Sequence, residues 1–143
     1  MQNVFDAKDA QEYINRINNL TPETQRKWGK MSVDQVLAHL NVAYDLTFTP
    51  EKFPKPSFIA KFLLSKFVKP KITNEIPYKQ SLPTSPVFII ADERNFEEEK
   101  AKLIGNIQRV QQLGREAFEG KENINFGKMT AQCWNNMFAK HLN

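Results

Sequence analysis

An all-α fold, four main helices closing into a bundle with one short extra helix, is predicted from three features of the sequence. Apolar residues recur three and four positions apart in four separate segments, the spacing of a single helix face. Each of those segments opens on a residue able to cap a helix: Asp6, Ser32, Asn95 and Thr130. The connections carry prolines that forbid helix where the chain must turn.

The first helix covers roughly residues 6–18, with Ala7, Ala10, Ile14 and Ile17 on one face and Tyr13 alongside. Thr21-Pro22-Glu23 sets a capping hydroxyl before a proline at a first helical position, and so predicts a short helical turn that Gly29 breaks. The second long helix follows Ser32 and aligns Val33, Val36, Leu37, Leu40, Ala43, Tyr44 and Phe48; Pro50, Pro54 and Pro56 end it. Residues 57–69 read as a helix that is apolar almost all the way round, so they pack on two sides or meet an apolar surface. From Pro70 to Ala91 four prolines forbid a long helix. Within that crossover connection, Val87-Phe88-Ile89-Ile90 predicts an extended segment. The third long helix starts at Asn95, where Glu98 completes a capping-box pattern, and runs through Leu103, Ile104, Ile107 and Val110 until Gly114 weakens or ends it. After a polar loop, Thr130 caps the last helix, which carries Trp134, Met137, Phe138 and His141. Trp28 and Trp134 are expected to anchor helix starts to the core.

The 143 residues suit one domain, 1–143, and 41% hydrophobic with 25% charged residues is ordinary globular usage. No apolar run approaches the ~18 residues of a membrane span, and the N-terminus lacks the layout of a secretion signal, so a cytoplasmic location is expected. Cys133 is the only cysteine, which excludes an internal disulfide and any multi-cysteine zinc or iron–sulfur site; it is expected to fill core space. The net charge of +4 is too diffuse to imply nucleic acid, and five glycines form no phosphate-binding loop. A homodimer stays open.

One internal echo carries chemistry. Trp28-Gly29-Lys30-Met31-Ser32 recurs as Phe126-Gly127-Lys128-Met129-Thr130, and each copy introduces a helix with a His-Leu-Asn triplet, His39-Leu40-Asn41 and His141-Leu142-Asn143. These are the only two histidines. They lie seven and eleven residues after their caps, so at about 100° per residue both project in nearly the same direction, one turn apart in depth. In quasi-equivalent packing both imidazoles reach one interior region, where neutral imidazole suits a borderline metal. An interior histidine is more often a hydrogen-bonded core residue than a ligand, which is the plainer reading of each. Zinc in a catalytic centre takes three protein ligands, and Asp34 and Asp45 both project away from His39 around the helix.

The segments GKMSVDQVLAHLN, SLPTSPVFIIADERNFEEEKAKL and FGKMTAQCWNNMFAKHLN together resemble a branch of the DinB/YfiT-like bundles over nearly the whole chain. The resemblance implies an up-down bundle with a long crossover, and a divalent metal such as zinc, nickel or iron held by one histidine of the second helix and two, four apart, on the last. His39 and His141 match the first two positions, and the third falls two residues past Asn143. The activity implied is a thiol-type transferase or hydrolase acting on a small molecule.

Two further readings stand beside it. One is a metal-free small-molecule-binding or interaction module, with the histidines lining a similar cavity. The other is membrane-surface association through residues 52–71, where six lysines alternate with Phe53, Phe58, Phe62 and Phe67. A lid helix with solvated lysines is preferred for that segment, so membrane contact is not expected.

Overall fold

The computed structural model describes residues 1–80 and 82–143. Ser81, the first residue of the crossover motif, lies outside the described residues. The chain is mostly helical with one small hairpin. In order come α1 (Ala7–Asn18), α2 (Val33–Phe48), α3 (Phe58–Leu63), a π turn (Leu64–Val68), α4 (Lys69–Thr73), α5 (Phe96–Phe118), β1 (Lys121–Asn123), β2 (Gly127–Met129) and α6 (Ala131–Leu142).

The capping residues do what their chemistry predicts. Asp6 accepts from the backbone N–H groups of Lys8 and Asp9, Asn95 from Glu98 at 3.0 Å, and Thr130 from Cys133 at 3.2 Å. Ser32 donates its own backbone N–H to the Gln35 side chain at 3.0 Å. The first three satisfy donors that the helix starts leave free, and at Ser32 it is the Gln35 side chain that satisfies the capping residue's own N–H.

The long helices α1, α2, α5 and α6 bury their apolar faces against one another. Tyr13, Leu37, Leu103, Ile107, Trp134 and Phe138 are sealed in one core. Phe138 stacks on Tyr44 at 4.8 Å and on Trp134 at 5.7 Å, tying α6 to α2. Between α2 and α5 the buried Asn41 donates to the Glu99 carbonyl and carboxylate at 3.0 and 2.8 Å, and accepts from Asn106 at 3.0 Å. That polar knot fixes the register of two otherwise greasy surfaces.

Several expectations need correction. Thr21 to Ser32 forms no helix: Thr24 N–H returns to the Thr21 carbonyl in a single tight turn, and the Thr24 hydroxyl accepts from Thr21 N–H at 2.8 Å. The run Val87–Ile90 forms no strand: Pro86 opens a 3-10 turn that takes in Val87 and Phe88 and closes through Ile89 N–H to the Pro86 carbonyl at 3.1 Å, and extended backbone resumes only at Ile89. The strands lie instead in the polar loop, where Asn123 Oδ1 accepts from Asn125 and Phe126 and so builds the tip of an antiparallel β1–β2 hairpin. Gly114, by contrast, interrupts α5 as expected, with a non-helical kink at φ 78° and ψ 169°. Trp28 is 55% exposed and anchors nothing, whereas Trp134 is fully buried.

The crossover helix extends further than predicted, to Thr73. Its C-terminal carbonyls are clasped by α6: Asn136 donates to the Thr73 carbonyl at 2.8 Å, and the buried Lys140 ammonium to the Lys71 carbonyl at 2.6 Å and Asn74 Oδ1 at 2.9 Å. Among the described residues no helix is long and apolar enough to cross a membrane.

Candidate functional site

The echo carries one backbone feature into the structure. Gly29 and Gly127 both adopt positive φ, 80° and 70°, a conformation that glycine takes without a Cβ penalty. Gly29 lies in an irregular stretch ahead of α2, whereas Gly127 opens strand β2 ahead of α6.

On α2, the half-buried His39 points its Nδ1 at the backbone carbonyl of Phe88, 2.7 Å away. A carbonyl oxygen only accepts, so Nδ1 carries the proton and donates. In the neutral ring the lone pair is then on Nε2. The turn at Pro86–Phe88 is what presents that carbonyl, because its own internal hydrogen bonds use the Ser85 and Pro86 oxygens and leave the Phe88 oxygen free.

From α6, His141 brings its Nε2 to 3.0 Å from the Nε2 of His39. The ring planes stand at 89°, with centroids 4.9 Å apart. Phe88 flanks both, its ring centroid 5.6 Å from His39 and 5.5 Å from His141. Burial lowers the pKa of His141 to about 3, with the nearby His39 adding to the effect, so this imidazole is neutral throughout the physiological range. Without a metal, His141 Nε2–H donates to the His39 lone pair, and His39 passes the polarity on to the Phe88 carbonyl.

The same two nitrogens could serve a metal only as a partial ligand set, and at 3.0 Å they stand slightly closer than the roughly 3.3 Å that a tetrahedral zinc would hold them. Two histidine nitrogens, each about 2.0–2.1 Å from a shared zinc, lie at most about 4.2 Å apart, and 3.0 Å is within that reach. Metal-bound histidine typically donates its other ring N–H to a carbonyl or carboxylate, which is the His39–Phe88 arrangement. Among the described residues no group of three or more His, Cys, Asp or Glu side chains gathers here or elsewhere. Asp34 and Asp45 are occupied away from the pair: Asp34 accepts from the Arg94 backbone at 2.8 Å, and Asp45 from Lys102 at 2.9 Å.

No family model, curated protein or solved structure matches this chain.

Phe88 is the one contributor to this site that sequence reading missed, since a backbone acceptor leaves no residue signature. Two surface clefts lie apart from the pair. One, about 450 Å³, is lined by Ser32, Asp34 and Arg94; the other, about 550 Å³, by Glu51, Lys55, Lys61 and Glu122. Cys133 is half-buried against the core edge.

Proposed function

We propose that this chain is a DinB-like bundle that holds a divalent metal, zinc, nickel or iron, between His39 and His141 and acts on a small molecule by transfer or hydrolysis of the thiol type. The observation that carries the reading is the convergence of two Nε2 atoms at 3.0 Å, one of them on a ring already anchored through Nδ1. A bound divalent ion would supply Lewis-acid polarisation of a substrate oxygen or sulfur. The chain's own residues would prepare the place: Phe88 fixes the tautomer and ring plane of His39, while burial keeps His141 from taking a second proton, so that moving its one N–H proton from Nε2 to Nδ1 would free Nε2 for a metal. The Phe88 ring shields one side of both imidazoles.

Calorimetric titration with zinc, of the wild-type chain and of His39→Ala and His141→Ala, tests this. The reading predicts one ion per chain and at least about tenfold weaker binding in each variant, with helical content unchanged. Absence of stoichiometric binding, or variants that bind as well as wild type, overturns it.

The alternative, a metal-free binding or interaction module, draws its support from the absence of a third ligand side chain among the described residues. It predicts that zinc leaves the thermal midpoint unmoved.

A further inference from the structure

Residues 52–74 contain six lysines and no acidic residue. The helical part of this segment, α3 through α4, is two-sided in the structure. Its inner side leans on the hairpin and α6. Lys61 pairs with Glu122 at 2.7 Å, Lys69 donates to the Lys128 carbonyl at 3.0 Å, and Ala60, Leu64 and Ile72 are half-buried.

The outer side is apolar and uncovered. Phe58 is 88% exposed, Ile59 71%, Phe62 57% and Phe67 58%, with Leu63 beside them. The π turn creates this alignment. With α-helical spacing, Phe67 would lie roughly 180° round the axis from Phe58. Instead Lys69 N–H reaches back to the Leu64 carbonyl, and the extra residue in the turn rotates Phe67 onto the side of Phe62. The Lys66 ammonium then sits 5.9 Å from the Phe62 ring centroid and 5.6 Å from that of Phe67. Lys52, Lys55, Lys66 and Lys71 are exposed and form no ion pair among the described residues.

We propose that this stripe is a docking face for an anionic lipid surface. Charge selects the occupant. A two-fold pairing with a second copy would set one acid-free, lysine-bearing patch against another, with no carboxylate in the segment to pair them, and a neutral apolar partner would leave the Lys66 charge at the centre of a desolvated contact. An anionic bilayer surface takes both components at once: the five aromatic and aliphatic side chains enter the headgroup–acyl boundary while the lysine stems lie along it and carry their ammonium groups to the phosphates. The helix lies on the bilayer rather than crossing it, in keeping with the lack of any spanning helix among the described residues.

Sedimentation with vesicles of one part phosphatidylserine to two parts phosphatidylcholine, against vesicles of phosphatidylcholine alone, is the test. Wild-type protein is expected to partition to the anionic vesicles at low salt and to be released as salt approaches about 1 M, where charges are screened within about 3 Å. Lys66→Gln should weaken partitioning about fivefold. The double variant Phe62→Ser, Phe67→Ser alters only exposed side chains, so it should keep its thermal midpoint and weaken partitioning by at least about tenfold. No sedimentation with anionic vesicles at low salt overturns the proposal, as does equal binding to both vesicle types. A wild-type dimer in analytical ultracentrifugation that the double variant abolishes would assign the face to a second copy and equally overturn it.

Discussion

Replacing His141 with phenylalanine removes a base that the fold holds in its neutral form, and so changes how stability responds to acid. In the unfolded chain an imidazole takes up its proton near its ordinary value of 6.5, whereas burial, assisted by His39, lowers that value to about 3 in the fold. Between the two values the unfolded chain binds more protons than the folded one. Stability therefore rises with pH across this window, is fully present above about 6.5 and is lost as pH falls. From about pH 7 to about pH 5 this one group contributes a loss of about 2 kcal/mol, growing to about 4 kcal/mol near pH 3. Urea unfolding of wild type and His141→Phe at the two milder pH values isolates the effect, since the carboxylates are common to both proteins. The wild type is expected to lose about 2 kcal/mol more than the variant. Equal losses would show that His141 titrates in the fold much as it does in water, and the argument from its burial would fail.

Two core substitutions test how the bundle is held. Asn41→Leu conserves volume but strands the Glu99 carboxylate and the Asn106 amide, and should lower unfolding free energy by about 2–4 kcal/mol in chemical denaturation. Phe138→Ala opens a void between Tyr44 and Trp134, and should lower it by about 3–5 kcal/mol while shifting the tryptophan emission of the buried Trp134 to the red.

The long helices were legible because each carries both a periodic apolar face and a capping side chain, two signals that agree locally. The hairpin was not, because Lys121-Glu122-Asn123 is wholly polar and its turn depends on one asparagine side chain folding back on the chain. Val87–Ile90 misled in the opposite sense: a β-branched, apolar run reads as strand, yet Pro86 presets a 3-10 turn that its neighbours complete. The convergence of His39 and His141 was visible through the echo, since matching caps followed by histidines at offsets one turn apart aim two side chains alike. The contact that gives the pair its polarity, from His39 to the Phe88 carbonyl, was invisible because any residue supplies a carbonyl. The placement of Phe67 beside Phe62 depended on a π turn that no spacing rule anticipates.

Long-range proton–nitrogen NMR of the imidazole rings, before and after one equivalent of zinc, addresses the two histidines most directly. The account predicts a protonated Nδ1 and a bare Nε2 on His39 at neutral pH, with the Nε2 resonances of both rings moving together when the metal is added. A His39 ring protonated on Nε2 alone, or resonances of the two rings that ignore zinc, would contradict it.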